Sequence, residues 1–433
     1  VCNNRRGGVL MRRLLLVLLL ICSVLMFAEV VELRWTGSGG SEDNLKRAMA
    51  KIEAFQAKYP NIKIVPEVYP ENYTQALLAS LAAGNPPDVF LLDAPYMPTF
   101  TERGVPMNIK PYLRVLGINL DDYYPNVLEI FSTPDGKLFG LPTGFTPMVV
   151  YYNKKLLREA GLPEPSDDWT WDDFLKMAQA MTKDLDGDGK IDQYGAYVGR
   201  YFYQMCPKIW SYGGEIISPN YDTVNGYLNS PQTIEAVQFF VDLIKKYKVA
   251  PEYSTVSALG GLGNMLYTNR IGFYISGHWS LFGMRKYIED GTLEIGVVRL
   301  PRGPYAKTSQ TVIYATAWSV VSTTKNPREA LQFVAWLSGA EGQKHEVLES
   351  RIELSGHIPT NELLLKQDTW GVEKKFVEII PTARIPIGCR VFDWYKAEDI
   401  FAEATDRIIS LGTPVKEALD WAVKEIEAKV FGR

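Results

Sequence analysis

VELRWTGSGGSEDNLKRAMAKIEAFQAKYPNIKIVPEV, residues 31–68, reads as strand, helix, strand. Val31, Leu33 and Trp35 alternate as they do on a strand with one buried face. Ser41 is placed to cap the helix that follows, and Glu42 and Asp43 in its first turn suit the positive end of the helix dipole. Leu45, Met49, Ile52, Phe55 and Tyr59 recur at helical spacing until Pro60 stops the run. Ile62–Val68 is the second strand. A helix from about Asn72 to Ala83, closed by Gly84, and a buried strand Asp88–Leu92 continue the rhythm. Strands alternating with helices predict an α/β fold on a mainly parallel sheet.

Upstream, Arg12-Arg13 is followed by an apolar run from Leu14 to Ile21 and on to Phe27-Ala28. A basic start, a short apolar stretch and a small residue at the end predict a secretory signal peptide cut after Ala28. Met11 is the expected start, with residues 1–10 an upstream extension. A lipoprotein signal ending at Cys22 is the second reading, because Ile21 stands where a small residue is expected. The working chain is therefore expected outside the cytoplasm, periplasmic or secreted. Removing Arg5, Arg6, Arg12 and Arg13 from the 46 basic residues leaves 42 against 50 acids. That acidic balance argues against nucleic acid and against an electrostatic hold on an anionic membrane. The 24 Tyr and 10 Trp against 3 His describe a protein built for contact more than for proton transfer. Cys206 and Cys389 are either one disulfide or two buried small hydrophobes.

Downstream of the turn Asp135-Gly136 a strand at Met148–Tyr152 leads to a helix closed by Gly161. Thr170-Trp171-Asp172-Asp173 has the form of a capping box, and Ser230-Pro231 opens another helix. A strand at Ala317–Ser322, helices from Pro327 to Val347, and helices Asp393–Ser410 and Pro414–Val430 complete the reading.

An ordered set of short stretches then carries a resemblance. They are FQAKYPNIKI (55–64), LAAGNPPDVF (81–90), GKLFGLP (136–142), VVYYNKKLLREAGL (149–162), and WTWDDFLKMAQAMTKDLDGDGKIDQYG (169–195). WSYGGE (210–215), NSPQTIEAVQFFVDL (229–243), IGFYISGHWS (271–280) and TKNPREALQFVAWL (324–337) follow. In order and spacing the chain resembles the extracellular solute-binding proteins of ABC importers, the branch that includes maltose-binding protein. The resemblance implies a two-lobed periplasmic-binding-protein fold of type II, its lobes joined by crossing hinge strands. It places lobe 1 at 29–143 and 305–362, and lobe 2 at 144–304 and 363–433. It also implies a monomer that captures a sugar or oligosaccharide and delivers it to an ABC permease, with no enzyme activity and no required cofactor.

In an open α/β sheet, ligands sit beyond the carboxyl ends of the strands. Trp35, Gly39 and Ser41 after the first strand, and Asp93 and Tyr96 after the third, are therefore candidate cleft residues. A sugar offers apolar C–H faces to aromatic rings and a rim of hydroxyls to carboxylates. By resemblance, Trp279 in ISGHWS and Tyr203, seven residues ahead of Trp210, match stacking residues of the family, and Trp394 falls in a segment that supplies another. Trp35 and Trp318 read equally as rim residues of the core, Asp93 as a helix cap, and His278 as an ordinary neighbour. Asp184, Asp186, Asp188 and Asp192 occupy positions 1, 3, 5 and 9 of a calcium-type loop, but position 12 is Gly195. That loop is either a weak structural calcium site or a solvated Gly-rich turn. The segment Gly37–Glu42 is no dinucleotide fingerprint, since Glu42 replaces its third glycine and would oppose a pyrophosphate. Two alternatives stay open: a secreted carbohydrate-active enzyme, and a binder of a non-sugar solute such as a phosphorylated polyol held at the Ser41 helix start.

Overall fold

The computed structural model describes residues 30–38, 42–69, 73–350 and 353–433. The signal-peptide region, Gly39 and Ser41 lie outside these residues. Strand β1 (Val31–Ser38), a helix Glu42–Lys58 and β2 (Ile62–Tyr69) form the predicted unit, with β1 and β2 parallel in the register Val31 to Ile62. Leu33 and Trp35 face the core and Glu32 faces solvent, the alternation expected of a strand. The helix buries Ile52 and Phe55 but leaves Leu45 43% and Met49 41% exposed. Leu45 and Met49 therefore lack the core contact that the spacing predicts. There Arg47 stands over the ring of Phe282, 5.1 Å from its centroid, on the helix Ser280–Glu289.

The helix Tyr73–Ala82 and β3 (Val89–Asp93) follow. Seven strands make the first sheet, in the order β10 (Leu354–Ser355), β4 (Leu141–Pro147), β9 (Thr311–Val320), β3, β1, β2, with β11 (Ala383–Arg384) beside β9. The second sheet has the order β6 (Tyr194–Tyr197), β7 (Ile271–Ser276), β5 (Val149–Asn153), β8 (Ile295–Val298). The expectation of mainly parallel sheets needs correction, because both are mixed. Strand β9 runs antiparallel to β3 and β4, and β5 runs antiparallel to β7 and β8. The reason is that β5 and β9 each enter from the other sheet, whereas β8 is reached from β7 through the helix Ser280–Glu289 and so runs with β7 and against the β5 strand between them.

Those crossings are short. Only Met148 separates β4 in one sheet from β5 in the other. Its N–H donates to Val312 O at 3.0 Å, and Thr311 Oγ1 donates to Met148 O at 2.7 Å, which ties the first crossing to the start of β9. In VVYYN, Val149 and Tyr151 enter one buried cluster, while Val150 and Tyr152 enter the other. A strand covered on both faces reads as a continuous apolar run for this reason. The second cluster is closed by Phe202–Tyr212, Pro231–Lys245 and the C-terminal pair Tyr395–Leu411 and Val415–Lys429. The capping box at Thr170 is formed, with Asp173 N donating to Thr170 Oγ1 at 3.2 Å and Thr170 N to Asp173 Oδ2 at 3.0 Å. Cys206 and Cys389 are buried and free.

Candidate ligand-binding cleft

Three half-buried rings meet against the second core cluster. Tyr203 lies in the first turn of the helix Phe202–Tyr212, Trp279 follows β7, and Tyr314 stands on β9. Their centroids are 6.2 Å apart for Tyr203 and Trp279, and 6.4 Å for Tyr314 against either. All three pairs are edge-on, so each ring keeps a face that another ring does not cover. Tyr201, 48% exposed, stacks on Tyr203 at 5.9 Å and extends the wall outward. Burial pushes the phenols of Tyr203 and Tyr314 up, so both stay neutral donors and acceptors.

Beyond the end of β3 a cavity of about 340 Å³ is lined by Tyr73, Thr74, Gln75, Leu91, Asp93, Tyr96 and Thr316. Burial pushes the Asp93 carboxyl up to about 6. Glu398, on the helix Tyr395–Leu411, is pushed up to about 8 by burial and then by the charges of Asp93 and Asp399. Tyr96 and Tyr395 come within 6.1 Å beside these acids, each three residues along the chain from its own. Neighbouring cations are engaged elsewhere. Arg384 pairs with Glu215 at 2.9 Å, Arg390 with Glu129 at 3.0 Å, and Lys396 with Asp393 at 2.7 Å. Among the described residues, no lysine or arginine lines the cavity. The arrangement offers ring faces to C–H surfaces, and carboxyl and hydroxyl groups to hydroxyls.

The predicted site residues divide. Tyr203 and Trp279 come together, and Asp93 and Tyr96 share a cavity. Trp35 and Trp318, 3% and 5% exposed, instead pack on each other at 5.3 Å in the first core. Trp394 is 1% exposed, with its ring edge-on to Phe202. These three are corrected to core residues, because an indole enclosed on both faces has none to offer a solute. Tyr314, Tyr395 and Glu398 were missed. Tyr395 and Glu398 share one helix face, a signal present in the sequence, but nothing local tells which cleft a C-terminal helix will border.

In the acidic loop, Asp184, Asp186 and Asp188 bring carboxylate oxygens within 4.8 Å of one another. Asp192 turns instead to Leu185 N at 2.8 Å. Asp184 accepts from Gly187 N and Gly189 N at 2.7 and 2.8 Å, and Asp188 pairs with Lys190 at 3.0 Å. Position 12, Gly195, has no room for a side chain, since a Cβ would lie 1.9 Å from Ala178 O.

Residues 39–344 match the profile of the bacterial extracellular solute-binding proteins, more than half of the chain. The chain belongs to that family. A Brucella abortus protein described only as a binding protein is 26% identical to this solute-binding protein over 390 residues, 86% of this chain and 87% of its own. Among solved structures, maltose-bound MalE3 of T. maritima superposes with a TM-score of 0.75 at 20% identity, covering 92% of this chain and 99% of that one. UgpB of Mycobacterium tuberculosis in complex with glycerophosphocholine superposes at 0.76 and 18%, covering 91% and 97%. This solute-binding protein therefore has the two-lobed binding-protein fold and is the substrate-binding component of an ABC transporter. The family is periplasmic or secreted and works with membrane permeases, and among the described residues no helix is long and apolar enough to cross a membrane.

Proposed function

We propose that this chain captures a neutral sugar or oligosaccharide between its lobes and hands it unaltered to the permease. The observation that carries the reading is the ring trio Tyr203, Trp279 and Tyr314 together with an acid-bearing cavity that, among the described residues, no lysine or arginine lines. A phosphorylated polyol, the kind of solute suggested by the likeness to UgpB, needs cations or a free helix start. The arginines near this cavity are paired with other acids, and Asp93, raised only to about 6 and so ionised at neutral pH, would repel a phosphate. The likeness to a maltose-bound protein agrees with a sugar.

The residues assigned to the solute are Trp279, Tyr203, Tyr314, Asp93, Tyr96 and Glu398. The lobes are drawn at 29–143 with 305–362, and at 144–304 with 363–433; the single-residue crossing at Met148, which separates β4 of the first sheet from β5 of the second a few residues past the first boundary, acts as a hinge. Solute touching both lobes favours the closed form by its differential affinity. Micromolar binding would supply about 8 kcal/mol in all.

One feature favours a second reading. Two carboxyl groups pushed up to different values, about 6 and about 8, also describe the acid and base of a glycosidase. A thermal-shift screen over mono-, di- and oligosaccharides, with glycerol 3-phosphate and inorganic phosphate alongside, separates the possibilities. Stabilisation by a neutral sugar without phosphate competition supports the proposal. Stabilisation by the phosphates alone, or steady release of cleaved sugar, contradicts it.

A further inference from the structure

We propose that His278 and Glu373 are positioning residues: they hold the Trp279 ring in the cleft without touching the solute. The inference rests on the assignment of Trp279 as a stacking platform. Both side chains are 0% exposed, and the Glu373 carboxylate meets His278 Nε2 at 2.5 Å. His278 directly precedes Trp279, so whatever fixes its backbone and ring fixes the origin of the indole.

The segment Ser276–Ser280 is held from several sides. His278 N donates to Thr146 Oγ1 at 2.6 Å, which ties it to β4 just ahead of the Met148 crossing. Tyr151 Oη donates to Gly277 O at 2.8 Å from β5. Ser280 Oγ donates to Ser276 Oγ at 2.7 Å, closing the turn. The Phe376 ring stands edge-on to the imidazole at 4.9 Å. Gly277 leaves no slack, because a Cβ there would lie 2.5 Å from Trp279 Cζ3. The helix Glu373–Ile379 that carries the carboxylate is fixed in turn, with Glu373 N donating to Asp368 Oδ2 at 3.0 Å.

This pair is a poor choice for stability alone. The second carboxylate oxygen of Glu373 is buried with no hydrogen-bond partner among the described residues, which carries a desolvation cost. Its consequence is geometric. It joins the C-terminal segment, β7 and β4 at the residue before the platform.

The test uses the full chain labelled with 5-fluorotryptophan, with the Trp279 fluorine resonance assigned by its loss in Trp279→Phe. In Glu373→Ala that resonance is expected to shift or broaden, and calorimetric affinity for maltose, cellobiose or mannobiose, whichever binds the wild type, to fall at least tenfold. Glu373→Gln, which keeps an acceptor for Nε2, should restore the resonance and bring affinity within about threefold of wild type. Should Glu373→Ala not fold, Thr146→Val, which removes the bond to His278 N, is read in the same way. A lower melting temperature with the resonance and affinity unchanged would make the pair structural only and overturn the inference, while leaving the platform standing. Unchanged affinity in Trp279→Ala would instead remove the platform, and the inference with it.

Discussion

Lys208 sits on the helix Phe202–Tyr212, 1% exposed, with its ammonium 3.6 Å from Met205 Sδ and 5.1 Å from the Phe240 centroid. Burial pushes it down to about 7 from 10.5. A lysine lowered in the folded state penalises folding most below pH 7, and the penalty fades as pH rises toward 10.5. Lys208→Met should therefore stabilise the protein by about 1–3 kcal/mol at pH 7. Thermal unfolding should show that gain shrinking toward pH 10; a constant gain would mean that charge is not its source. Glu398 has the opposite sign. Its carboxyl is raised, so the folded state holds the proton between pH 4.5 and about 8, and stability is lost as pH rises through that window. Glu398→Gln should match the wild type near pH 5 and exceed it at pH 8.5 in the same melts. At this scale a motif paired Trp279 with Tyr203, and the structure brings the two rings together. The sequence was not legible where only packing decides. Trp35, Trp318 and Trp394 look alike in sequence, and what separates them from Trp279 is how many neighbours enclose the ring.

Local chemistry made several elements readable before any tertiary contact. The capping box at Thr170 is one, and Ser230 capping Pro231–Lys245 through Thr233 N at 3.3 Å is another. Thr170→Ala should cost about 1 kcal/mol, seen as a lower melting midpoint with solute affinity unchanged. Strand β4 shows the reverse case. LPTGFTP carries two prolines and a glycine, residues that argue against a central strand, yet every residue of it is buried. It is tolerated because the register with β9 shifts between Pro142 and Gly144, and Pro147 ends the strand. The helical stretch predicted from Pro327 to Val347 is likewise interrupted, with Gly339 extended between Pro327–Ser338 and Ala340–Lys344.

The alternation of strands and helices made the α/β class legible, while the interleaving of the sheets needed the resemblance. Periodicity reports which face of an element is buried but not which sheet it joins, so β5 and β9 could not be assigned from pattern alone. The cleft follows from that interleaving, since Tyr203 and Trp279 come with one sheet and Tyr314 and Asp93 with the other. The direct test is calorimetric titration of the protein and its Trp279→Ala variant with a panel of neutral mono-, di- and oligosaccharides. The account predicts saturable binding of at least one sugar by the wild type and at least tenfold weaker binding by a variant with an unchanged circular dichroism spectrum. Equal affinities, or no sugar bound at all, would contradict it.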